Sequence, residues 1–161
     1  MFGFFSSKPF SDPQLGTLVK KNGYWRGTIP VEKQDNVQLQ IFGDSKSPSV
    51  KGIELAHQFS SNFDALKKQI ESALFEHYLP YQEASLSGEL PEGIEPPPKI
   101  NSAQAVWPHV SPVYVRIEPL NGAPKPEPII EVAFAVAWDE EHTIGARIQN
   151  WQLFELCGSV I

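Results

Sequence analysis

The stretch FSSNFDALKKQIESALFEHYLP, Phe59 to Pro80, decides how the rest of the chain is read. Phe59, Phe63, Leu66, Ile70, Leu74 and Tyr78 recur at spacings of three and four, which lines them up as one apolar stripe on a helix. Lys67, Lys68, Glu71 and Glu76 fall off that stripe. Ser61 followed by Asp64 resembles a capping box, and Pro80 is expected to stop the helix. Residues 50–58 read as an earlier helical turn or a separate short helix.

On either side the period changes from helical to alternating. Leu18–Lys21 and Tyr24–Ile29 flank Asn22-Gly23, a hairpin signal because both turn residues accept positive φ. Val37–Phe42 alternates apolar and polar, as a half-buried strand does. These segments predict an N-terminal three-strand meander. Beyond the helix, Val113–Ile117 alternates, Asn121–Pro128 is a turn region, and Ile129–Trp138 is apolar on both faces, as a central strand should be. Asp139–His142 then breaks the pattern. Ile144, Ala146 and Ile148 alternate against Arg147 and Gln149, Asn150 marks another turn, and Trp151–Leu156 is a last strand. Two blocks of strands separated by one helix predict an α+β fold. It is mainly an antiparallel sheet of six or seven strands with one main helix packed on one face.

The length, 161 residues, fits a single domain spanning 1–161. Within it, residues 1–15 read as an irregular N-terminal tail, because Pro9 and Pro13 oppose a helix. Residues 83–112, rich in Glu, Pro and Gly, read as a surface loop over the sheet edge, with a short helix from Ser102 to Trp107. Phe2, Phe4 and Phe5 read as a tail docking on the domain. Its single cysteine, Cys157, rules out an intrachain disulfide and a Cys-rich zinc site. A reducing, cytoplasmic setting is expected. The apolar start is too short for a signal peptide, and no window is long enough to span a membrane. Net charge is −6 and the Lys and Arg residues are scattered, which argues against a nucleic-acid binder.

One polar constellation stands out: Trp138-Asp139-Glu140-Glu141-His142-Thr143-Ile144-Gly145. Carboxylates and imidazoles serve as metal ligands and as general acids and bases. Adjacent residues in a turn point in different directions, however, and no H-E-x-x-H spacing aims them at one point. The bland alternative is a hairpin turn whose acids solvate the tip while His142 satisfies a local hydrogen bond. His57 and His77 read as helical packing residues, His109 as a loop residue that could face a cleft, and Cys157 as an inert thiol at the end of a strand. No phosphate-binding or nucleophile-elbow motif occurs, and no cofactor is expected.

The run W-D-x-E-H-x-x-G at 138–145, followed by an alternating strand, a turn and Gly158, resembles a family of small bacterial domains of unknown function. The early Gly23-Tyr24-Trp25 and the helix ending near Tyr78 fit the same pattern. The resemblance implies an immunity or accessory role beside toxin genes, with no known activity and no known catalytic residues. The expected function is a non-enzymatic binding protein that caps a protein partner with an acidic surface, formed by Trp138, Glu140, Glu141, Glu92 and Glu95. A metal-dependent hydrolase using Asp139, Glu141 and His142 is the alternative. A structural protein that oligomerises through exposed sheet edges is a third.

Overall fold

The computed structural model describes residues 6–161, so the Phe2, Phe4 and Phe5 cluster lies outside the described residues. Eight strands form one sheet in chain order. They are β1 (Phe10–Asp12), β2 (Gly16–Lys21), β3 (Tyr24–Val31), β4 (Gln34–Ile41), β5 (Val110–Glu118), β6 (Ile129–Val136), β7 (Asp139–Gln149) and β8 (Gln152–Cys157). Helix α1 (Val50–Leu86) and a short 3₁₀ helix (Ala103–His109) lie between β4 and β5. The α+β class, the single main helix and the meander agree with the sequence. The strand count is higher than expected, because Phe10–Asp12, squeezed between Pro9 and Pro13, pairs with β2. The tail assignment for 1–15 therefore fails at Phe10–Asp12.

The sheet is also mixed. β4 and β5 run parallel, with Leu39 opposite Val115 and Ile41 opposite Ile117, while the other neighbours are antiparallel. A parallel pair needs a long crossover, and α1 supplies it. Two hairpin turns match their sequence signals. Asn22 and Gly23 take φ of 50° and 85° between paired Lys21 and Tyr24. Asn150 and Trp151 take φ of 51° and 60° between paired Gln149 and Gln152.

Helix α1 starts earlier and ends later than the stripe suggests. Its N-cap is Ser49, whose hydroxyl accepts from the Gly52 N–H at 3.4 Å. Ser61 sits inside the helix, where its hydroxyl donates to the Gln58 carbonyl. Gly52 is required by close approach, since a Cβ there would stand 2.5 Å from Ile41 Cγ2. Pro80 does not stop the helix, which continues to Leu86. A proline inside a helix costs roughly 3 kcal/mol. Tertiary bonds on both sides of Pro80 offset that cost: Tyr78 donates to the Pro98 carbonyl at 2.7 Å and accepts from the Ile100 N–H, and Tyr81 donates to Asp139. The loop expected over 83–112 is thus shorter, since helix fills its start and the 3₁₀ helix and β5 fill its end.

The register sorts the strand residues onto two faces. One carries Trp25, Ile29, Leu39, Ile41, Val115, Ile117, Ile130, Val132, Phe134, Ile144, Ala146 and Ile148, packed in one core with the α1 stripe. The other face is left open by α1 and is polar. At the far edge, β8 meets α1: the Gln69 amide accepts from the Leu153 N–H at 2.9 Å and donates to the Trp151 carbonyl at 3.4 Å. One helix side chain thereby stands in for a neighbouring strand at the start of an open edge.

Candidate functional site

The Trp138–Gly145 run does not form the turn expected of it. β6 ends at Val136, Ala137-Trp138 make the turn, and Asp139 already pairs with Val136 as the first residue of β7. The next ladder pair is Ala135 with Thr143. Glu140, Glu141 and His142 fall between these pairs and bulge out, with all three exposed. The turn moves to 137–138 because Trp138 has a hydrophobic payload to bury. It is 6% exposed, packs edge-on to Tyr78 at 5.5 Å, and donates from Nε1 to His77 Nδ1 at 3.0 Å.

That hydrogen bond fixes His77 as an acceptor at Nδ1, so its neutral form carries the proton on Nε2. Burial pushes its pKa down, with the neighbouring His142 adding to the effect and Asp139 opposing it. Asp139 accepts from the Tyr81 hydroxyl at 2.7 Å and lies 2.9 Å from His142 Nδ1. Burial alone would raise the Asp139 carboxyl, but the bonds from Tyr81 and His142 outweigh it and hold the group below its usual range. Tyr81 is pushed up to about 12, by burial first and then by its bond to Asp139. It therefore keeps its proton at neutral pH and donates it in the hydrogen bond to Asp139. Asp139 and His142 form a carboxylate–imidazole pair, and Asp139 also accepts from the Tyr81 hydroxyl. Among the described residues, no group of three or more His, Cys, Asp or Glu is placed to hold a metal ion. Gly145 is explained by contact: a Cβ there would lie 2.5 Å from Val160 Cγ1 and 3.3 Å from Glu131 Cδ.

The other candidates are placed as follows. Glu92 and Glu95 are exposed on the loop after α1, whose return past Pro98 is pinned by Tyr78. His57 faces Asp12 at 2.9 Å, and Asp12 also accepts from the backbone of Gln14 and Leu15, tying the β1–β2 turn to α1. The His109 carbonyl accepts from the Ala137 N–H at 2.9 Å, beside the β6–β7 turn. The Cys157 thiol contacts the Ser159 carbonyl.

Sequence reasoning missed a second polar assembly on the open sheet face. Arg147 Nε donates to Glu131 at 2.8 Å and its Nη1 donates to Glu155 at 2.8 Å. Tyr114 also donates to Glu131, at 2.8 Å. Arg116 donates to Gln40 and lies over the rings of Tyr114 and Tyr24, at 4.4 and 5.0 Å from their centroids. Burial and the bond to Glu131 raise the Tyr114 pKa, and Glu131 raises that of Arg147, so both hold their protons. The available signal was a charge, Glu131, inside the most apolar strand of the chain.

Comparison with curated proteins gave no match, and comparison with solved structures gave none. Over residues 14–159, nearly the whole described fold, the chain matches and belongs to the family described as domain of unknown function DUF6985.

Proposed function

We propose that this chain is a non-enzymatic binding protein, immunity-like and bacterial, that captures a basic protein partner with the acidic end of α1. The observation that carries the reading is the anchoring of two acidic segments on the same helix end. Glu140 and Glu141 project from the β7 bulge, which is fixed to α1 through Asp139–Tyr81 and Trp138–His77. Glu92 and Glu95 project from the loop pinned at Tyr78. Glu83 in the last turn of α1 and Glu89 just beyond it are also exposed, and that turn carries no basic residue.

Rigid mounting matters because a pre-ordered acidic surface loses less entropy on binding than a mobile one. Rim charges of this kind set association rate and salt dependence more than final affinity. The test uses the full chain as bait in host lysate at low and moderate salt. One salt-sensitive partner is expected, and the double change Glu140→Lys with Glu141→Lys should weaken its capture and lessen its salt dependence. Capture unchanged by charge reversal overturns the surface assignment.

A further inference from the structure

Nearer the middle of α1, a cleft of about 570 Å³ opens between the helix, the 3₁₀ helix and the β3–β4 hairpin. That volume falls within the range of small-molecule sites. Its walls include Glu32, Lys67, Glu71, Trp107, Pro108 and Pro112. Three features meet there.

The first is Glu71, only 6% exposed although it carries a carboxylate. Its Oε2 accepts from Trp107 Nε1 at 2.7 Å. Its Oε1 has no hydrogen-bond partner among the described residues, yet no buried side-chain polar atom there is left unpartnered. Oε1 must therefore reach open space, and the space that Glu71 lines is the cleft. The second is Lys67, one helical turn earlier. It grips both oxygens of Glu32 at 2.8 and 2.7 Å and lies 5.2 Å from the Trp107 ring centroid. The third is Glu32 itself, a non-glycine residue at φ 53° on the hairpin tip. That φ belongs to the two-residue turn between paired Val31 and Gln34, which holds Glu32 at the edge of the cleft.

Counting charges gives the ligand class. Lys67 neutralises Glu32. Glu71 pairs only with a neutral indole, and neither Lys67 nor the exposed rim residue Lys33 forms an ion pair with it. With Oε2 held by the indole and Oε1 open to the cleft, Glu71 offers a free acceptor that a cation can use in a charge-assisted hydrogen bond. We infer that this cleft binds a small organic cation, an ammonium or guanidinium head on a short apolar body. The head bonds Glu71 Oε1, and the body rests on Trp107, Pro108 and Pro112. The site is separate from the acidic end of α1 and does not depend on that reading.

The test titrates the full chain with benzylammonium chloride and, separately, with uncharged benzyl alcohol of nearly the same shape. The Trp107 indole N–H resonance, assigned with Trp107→Phe, reports directly on the Glu71 bond. Benzylammonium should shift it saturably, with affinity at least about tenfold above that of benzyl alcohol. Glu71→Gln, which keeps an oxygen for Trp107, should erase that preference. Equal response to both probes, or no saturable shift by about 10 mM benzylammonium, overturns the inference. The comparison of the two probes on the unaltered protein decides the matter even if Glu71→Gln folds poorly.

Discussion

The two faces of the sheet are made by the same strands, residue by alternate residue, and they are held by different forces. Under α1, β6 presents Ile130, Val132 and Phe134, all nearly inaccessible to water. On the open face the same strand presents Glu131 between Tyr114 and Arg147. The covered face relies on removal of apolar area from water, which has no direction. The open face relies on matched donors and acceptors, which do. A substitution on the covered face should scale with the volume removed. One on the open face should scale with the number of partners left unpaired.

Phe134→Ala tests the covered face most severely. Its ring meets Trp107 edge-on at 6.2 Å within the core, and truncation should cost about 3–5 kcal/mol. The fall in urea midpoint measures it. A loss below about 1 kcal/mol would mean that the core repacks freely, and the contrast between faces would weaken.

Glu131→Gln removes one charge and almost no volume. On the covered face that exchange of shape would cost little. Here it strips Arg147 of its buried partner and leaves Tyr114 a weaker acceptor. The expected loss is about 1–3 kcal/mol, less than for a fully buried ion pair because Arg147 retains some water contact. Pairing with Arg147→Met should give a coupling energy that shrinks little in high salt. Strict additivity would show that the assembly is only a solvated surface.

His77 links the covered core to the acidic bulge, and it makes that boundary sensitive to pH. Its folded pKa lies below the ordinary value near 6.5, so the unfolded chain binds more protons in that window. Stability should therefore rise with pH through the window and fall on acidification below about 6.5. Protonation also turns Nδ1 from an acceptor into a donor facing the Trp138 N–H. His77→Gln should flatten this slope, read from urea midpoints between pH 5 and 7 or so. An unchanged slope would assign it elsewhere. The lowered Asp12 and Asp139 act in a separate, more acidic window: their stabilisation is full above ordinary carboxylate values and disappears as pH falls through their folded ones.

How much of this was legible follows the same division. Alternation and the Phe59–Tyr78 stripe are signals of apolar burial, and they recovered the covered face, the helix and both Asn-led turns. They were silent on the open face, because an Arg or Glu on the polar side of a strand reads as solvated until its register partner is known. Glu131, Arg116 and Arg147 lie on two neighbouring strand pairs, and only pairing brings them together. The parallel β4–β5 contact was hidden for the same reason. Pro80 misled because its local penalty is visible in sequence, while the Tyr78 and Tyr81 bonds that offset it come from residues 98–100 and 139. Glu71 read as off-stripe and solvated until the fold set Trp107 against it. In the Trp138–Gly145 run the residues were noticed correctly, but the turn was put at the acids instead of at Ala137-Trp138. Burial of the indole outweighed the usual preference of acidic residues for turns.

Glu140 and Glu141 belong to neither face, which makes them the smallest but most discriminating test. They sit on a bulge outside the ladder, exposed, and the bulge is held by Asp139 and Trp138. Changing both to Lys removes no core volume and strands no buried partner. Stability should stay within about 0.5 kcal/mol of the starting protein, as for exposed positions generally. The same double change is the one expected to weaken partner capture and lessen its salt dependence. A loss in capture together with an unchanged urea midpoint places those charges in recognition. A midpoint that falls by more than about 1 kcal/mol would instead place them in the fold, with the bulge supported by its acids as well as by its anchors.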